Sequence, residues 1–89
     1  MNTKLISEVK EKEQLVEQCD LILYNDDVNT FDFVIKTLME ICDHDHIQAV
    51  QCTYIIHNNG KCGIKRGSFQ ELRPTCEILL DKGLSAKIE

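Results

Sequence analysis

The spacing of apolar residues along this chain changes repeatedly, and each change predicts an element. Leu21, Ile22, Leu23 and Tyr24 form an unbroken apolar run. Such a run predicts a strand over 19–24 that is central and covered on at least one face. It halts at Asn25-Asp26-Asp27, whose side chains bond to nearby backbone and compete with a strand ladder. From Phe31 the spacing turns helical, with Phe31, Val34, Ile35, Leu38, Ile41 and Cys42 on one stripe. Asn29 or Thr30 is placed to cap that helix, and Asp32 sits in its first turn, where a negative charge is favourable.

Asp43-His44-Asp45-His46 interrupts the stripe, and Asp45 with Gln48 resembles a capping box for a second helix over 46–58. The stretch Cys52-Thr53-Tyr54-Ile55-Ile56 is rich in β-formers, and propensity alone would make it a strand. The spacing of Ala49, Cys52, Thr53 and Ile56 favours helix, with Val50 also inward and Asn58-Asn59-Gly60 as a left-handed stop. Residues 61–66 predict a short strand weakened by Gly63. Ser68 and Glu71 form a second capping signature, opening a helix with Phe69, Leu72, Cys76, Leu79 and Leu80 on one face. Pro74 inside it must kink the helix or mark a fresh start, and Gly83 ends it. Alternation over 84–88 closes the chain as a strand. The predicted order is βααβαβ: an α+β fold of three helices packed on a small three-stranded antiparallel sheet.

Upstream, residues 4–17 alternate in charge and offer too narrow an apolar stripe to dock. Residues 1–18 are therefore expected to be a flexible N-terminal extension, and 19–89 the core domain. At 89 residues the chain makes a single domain. Its net charge of −5, with only Lys65 and Arg66 adjacent among the basic residues, excludes a nucleic-acid surface. No apolar run approaches the roughly 20 residues of a membrane span, and the first residues lack the apolar core of a signal peptide. A cytoplasmic protein that touches no membrane is the expectation.

Five cysteines (19, 42, 52, 62 and 76) without a CxxC pair predict reduced thiols filling a core rather than disulfides or zinc. The Asp43–His46 run offers metal ligands, yet histidines two apart cannot share a helix face, and a capped acidic turn explains the run better. No nucleophile has a base beside it, so the chain is not read as an enzyme, and nothing calls for a metal or other cofactor. His57, near a helix end, reads as a dipole partner or as a donor or acceptor in a site. Asn25, Asp26 and Asp27 are ordinary turn chemistry on their own. The second carboxylate, and Phe31 within a helical turn of it, also suit a site that takes a cation joined to an apolar group.

At these residues the chain resembles ClpS, the adaptor family that carries N-end-rule substrates to the Clp unfoldase–protease of bacteria. The matching stretches are LILYNDDVNTFDFV (21–34), YIIHNNGKCGI (54–64) and the strand at 84–88. The resemblance implies the same βααβαβ fold and a site for the free α-amino group of a peptide (an N-degron) beginning with Phe, Tyr, Trp or Leu. Asn25, Asp27 and a neutral His57 would take the ammonium, with Asp26 in the same acidic lip. Leu23, Phe31, Val34, Thr53, Ile56 and Leu84 would line the side-chain pocket. The implied partners are N-degron proteins and a ClpA- or ClpC-like AAA+ unfoldase, with residues 1–18 as a delivery tail. The family's usual N-D-D-x-T-P-M ends here in Asn29-Thr30-Phe31, and Thr53 stands where a Met is usual. A stiffer, bulkier rim at Phe31 and extra room beside Thr53 are expected. The competing reading is a ribosome-associated or other protein-interaction domain of similar fold, in which N-D-D is only a turn.

Overall fold

The computed structural model describes residues 17–89. Most of the expected extension over 1–18 lies outside the described residues, and Gln18 already belongs to the first strand. The elements follow in the predicted order: β1 (Gln18–Tyr24), α1 (Phe31–Ile41), α2 (His46–Asn59), β2 (Lys61–Ser68), α3 (Phe69–Asp81) and β3 (Ser85–Ile88). β1 lies between β2 and β3 and runs antiparallel to both. Its unbroken apolar run is explained by that central place. Leu21 and Leu23 point to one face and are fully buried, while Ile22 and Tyr24 on the other are half-buried. The buried face meets Leu38 of α1, Ala49, Cys52 and Ile56 of α2, and Leu72, Cys76 and Leu79 of α3 in one core.

Local signals set the helix ends. Thr30 caps α1 by accepting from the Phe33 N–H, and Asp45 caps α2 by accepting from Gln48. Ser68 and Glu71 make a reciprocal capping box on α3. Those bonds hold the Glu71 carboxyl below its ordinary value. Gly60, at φ +90°, stops α2. Gly83, at φ +86°, completes a Schellman motif: its own N–H bonds to the Leu80 carbonyl, and the Leu84 N–H to that of Leu79. Leu84 is thereby folded back onto Leu79, and both are buried. α3 is a single helix through Pro74, which is exposed on its outer side.

The stretch 52–56 is helical, and Ala49, Cys52, Thr53 and Ile56 are the buried residues of α2. Two expected stripes were drawn too wide. Phe69 and Leu80 of α3 are about half exposed, at 54% and 50%, because Leu72, Cys76 and Leu79 already fill the contact with the sheet. On α1 it is Thr37, not Phe31, that joins Leu38 in the interior.

The Asp43–His46 turn holds a residue the apolar pattern missed. The β1–β2 register skips Ile64, a bulge that leaves this residue without a partner opposite. His44, only 8% exposed, fills the gap: its Nε2 lies 2.8 Å from the Ile64 carbonyl oxygen. A carbonyl only accepts, so Nε2 carries the hydrogen. Among the described residues no group of three or more His, Cys, Asp or Glu is arranged to hold a metal ion. All five cysteines are free. Burial pushes the Cys42 thiol up to about 11, and burial together with Cys62, whose sulfur is 2.8 Å away, pushes Cys52 up as well. Both are thiols rather than thiolates at neutral pH, as core cysteines should be.

Candidate functional site

Where β1 ends, the chain is tied to the C-termini of two helices. The Asn25 N–H donates to the carbonyl of Gly60, the stop of α2. Four residues on, Asn29 Nδ2 donates to the carbonyl of Gly83, the stop of α3, at 3.0 Å. Asp26 fastens the turn between these anchors. One carboxylate oxygen accepts the Val28 and Asn29 N–H groups and the other accepts Asn29 Nδ2, each at 2.9 Å. Burial pushes the Asp26 carboxyl up, but these bonds from Asn29 and Val28 outweigh it and hold the group below the ordinary carboxylate value.

The turn forms one lip of a pocket of about 260 Å³. Its walls include all ten residues named from the sequence: Asn25, Asp26, Asp27, His57, Leu23, Phe31, Val34, Thr53, Ile56 and Leu84. Three elements and two turns bring them together. Leu23 comes from β1, Phe31 and Val34 from α1, Thr53, Ile56 and His57 from α2, and Leu84 from the Schellman turn. Tyr24 and Asn29 also line the pocket and were not named from the sequence. Tyr24 hydrogen-bonds through its hydroxyl to the carboxylate of Glu89, which raises the phenol's pKa. Asn29 carried a signal, as a candidate cap, but the cap is Thr30 and Asn29 cross-links the lip instead.

The walls divide by polarity. Leu23, Ile56 and Leu84 are buried and Val34 is half-buried. Thr53 is buried too, and its hydroxyl donates to the Ala49 carbonyl one turn back at 2.8 Å, so it offers the pocket no free donor. At the mouth Asn25, Asp27 and His57 are exposed. Asp27 makes no hydrogen bond to the turn among the described residues, which leaves both oxygens open to a ligand. Phe31, 36% exposed, also lines the pocket, with its ring edge-on to His57 at 5.1 Å between centroids.

Among the described residues no Lys or Arg lines the pocket, while two carboxylates do. The mouth therefore suits a cation and the interior an apolar group. The volume is below the roughly 300–1,000 Å³ typical of pockets for drug-sized ligands, and it suits one side chain. Among the described residues no helix is long and apolar enough to cross a membrane.

Comparison with known proteins places the chain in a family. The chain is 42% identical over 55 residues to an ATP-dependent Clp protease adapter protein ClpS of Helicobacter hepaticus, a match covering 60% of this chain and 56% of that protein. It is 44% identical over 63 residues to the ClpS of Campylobacter jejuni subsp. jejuni, covering 60% of this chain and 66% of that one. Among solved structures, Agrobacterium tumefaciens ClpS2 bound to L-phenylalaninamide has the same fold, with a TM-score of 0.80 over 83% of this chain and 96% of that one at 16% identity. The family model described as ATP-dependent Clp protease adaptor protein ClpS matches residues 14–87, and with this fold and this pocket the chain belongs to the ClpS family.

Proposed function

We propose that this protein is a non-enzymatic adaptor that binds proteins by a free α-amino group and a bulky apolar first residue and hands them to a Clp AAA+ unfoldase. One observation carries the reading: acceptors on Asn25, Asp27 and His57, without a side-chain partner among the described residues, lie at the mouth of a one-residue apolar pocket that no described Lys or Arg lines. An N-terminal ammonium brings a positive charge and up to three N–H donors, which an amide oxygen, a carboxylate and a neutral imidazole nitrogen satisfy together. The first side chain then leaves water for the surface of Leu23, Val34, Ile56 and Leu84. Burying one Phe or Leu side chain contributes roughly 1.5–3 kcal/mol. Charge-assisted hydrogen bonds contribute roughly 1.5–3 kcal/mol each. Together they bring micromolar affinity, about −8 kcal/mol, within reach of a single anchoring residue.

Asp26 has a different part in this scheme. Its oxygens are engaged by the turn, so it adds charge to the lip and holds Asn25 and Asp27 in place. The ligand of the Agrobacterium neighbour, L-phenylalaninamide, supports the reading because it combines the two features that the pocket selects. Fluorescence anisotropy with labelled peptides beginning Phe, Tyr, Trp or Leu should show saturable binding that N-acetylation abolishes. Equal affinity for free and acetylated peptides would refute it.

A further inference from the structure

Two of the five free cysteines stand against each other, and the pocket uses neither. Cys52 of α2 is buried and directs its thiol at the Sγ of Cys62 in β2, across 2.8 Å. Cys62 pairs in register with Leu23 of β1, so its side chain lies on the sheet face that carries the core, and it packs against that core. Unlike Cys52, it is only half-buried and can be reached from solvent. Burial, with Cys62 beside it, keeps the Cys52 thiol protonated. The two sulfurs are thus unequal: Cys62 is the one that meets a reagent, and Cys52 waits behind it.

We infer that Cys62 and Cys52 form a reversible oxidation site for peroxides, in which Cys62 takes the oxidant and Cys52 resolves it as a disulfide joining α2 to β2. The inference does not depend on what the pocket binds. Cys62, its proton released to water, attacks one oxygen of hydrogen peroxide. An S–O bond forms, the O–O bond breaks, and the departing hydroxide takes up a proton as water. The Cys52 sulfur then attacks the Cys62 sulfur. An S–S bond forms, the S–O bond breaks, and the hydroxide leaves as water with the Cys52 proton. Together the sulfurs lose two electrons and the peroxide gains them; a thiol reductant reverses the bridge by exchange. From 2.8 Å the sulfurs need approach by less than about 1 Å to reach disulfide bonding distance, so the second step outruns further oxidation of Cys62. A sulfinate or sulfonate at Cys62 would instead fix a charge irreversibly beside the buried Leu23. The bridge closes a ring over 52–62 that holds Thr53, Ile56 and His57 of the pocket wall and Gly60, the anchor of Asn25.

The test treats the reduced, full-length protein with a small excess of hydrogen peroxide, blocks remaining thiols by alkylation and maps tryptic peptides by mass spectrometry. The expected product is peptide 37–61 joined to peptide 62–65, two hydrogen masses lighter than their sum and separated again by a thiol reductant. Fragmentation should place the link on Cys52 rather than on Cys42, which lies in the same peptide. The bridge restricts the unfolded chain, so the oxidised protein should melt roughly 5–15 °C above the reduced one. In Cys52→Ala the linked pair should disappear and Cys62 should accumulate sulfinic and sulfonic acid. Cys52→Ser repeats that arm with a side chain of similar size, and the wild-type arm requires no variant to fold. Wild-type Cys62 that is overoxidised, or left untouched, without a link to Cys52 would overturn the inference. A link from Cys62 to Cys19 or Cys42 would do the same, as would equal overoxidation of Cys62 in wild type and both variants.

Discussion

On the proposed function the adjacent carboxylates Asp26 and Asp27 have separable tasks, and Asp26→Asn tests the separation. The substitution keeps the shape, removes the charge and turns one acceptor oxygen into a donor. If the new amide keeps its oxygen toward the Val28 and Asn29 N–H groups, its NH₂ faces Asn29 Nδ2, which now donates to Asp26 at 2.9 Å. Two donors then confront each other. Flipping the Asn29 amide does not help, because its oxygen would be turned toward the Gly83 carbonyl that now accepts from it at 3.0 Å. Every arrangement loses at least one bond. A hydrogen bond to a charged group contributes roughly 1.5–3 kcal/mol, and the partial exposure of this turn reduces that to about 1–2 kcal/mol. In a domain of this size the melting temperature should fall by roughly 5–15 °C, read by circular dichroism at 222 nm. Asp27→Asn, at an exposed residue that the turn does not use, should leave melting unchanged while weakening peptide binding about tenfold, the loss of one charge-assisted contact. A melting temperature for Asp26→Asn within about 2 °C of wild type would refute the assignment of its carboxylate to the turn.

Thr53→Met places a longer side chain in the pocket wall, so peptides beginning Trp should lose about tenfold or more in affinity relative to Leu by anisotropy, and an unchanged ratio would show that Thr53 does not limit the space for the first side chain. His44→Phe fills a similar volume but removes the donor to the buried Ile64 carbonyl, and urea unfolding should show a loss of about 1–3 kcal/mol, whereas an unchanged midpoint would mean the bulge needs no donor. Asp26 and Glu71 have folded pKa values below their ordinary 3.8 and 4.5. Their contribution is therefore complete above those ordinary values and is lost as pH falls through the depressed ones. The urea midpoint should decline below about pH 4.5, less steeply in Glu71→Gln, which keeps the cap but cannot titrate there, and an identical decline would exclude Glu71 from the effect.

What could be read from the sequence follows from how local each interaction is. The caps at Thr30, Asp45 and Ser68 and the stops at Gly60 and Gly83 involve neighbours a few residues apart, and the element order came from them. Periodicity resolved 52–56 as helix against its β propensity, because burial of one face outweighs small intrinsic preferences. Phe69 and Leu80 misled for the same reason that stripes are useful: spacing shows which residues share a face, not how much of that face the sheet covers. His44 was illegible because its partner exists only where the register skips Ile64, twenty residues on. At the site, the acceptors and the apolar wall were placed through resemblance to a family, whereas residues alone favoured a plain turn. The cross-link by Asn29 and the ring contact between Phe31 and Tyr54 join residues 54 and 23 positions apart, which no local pattern encodes.

The anchoring of the lip to Gly60 and Gly83 also bears on time. A loop that must fold around its ligand makes capture wait for rearrangement, but here the segment from Asn25 to Asn29 is bound to two helix ends within the folded chain itself. On the proposed function, an arriving N-terminus meets a finished socket, and capture proceeds at a rate set by diffusion and orientation, nearly the same for every first residue. Discrimination then resides in departure: a well-seated Phe or Leu dwells, a poorly seated residue leaves within the same encounter, and the adaptor sorts its cargo by residence time.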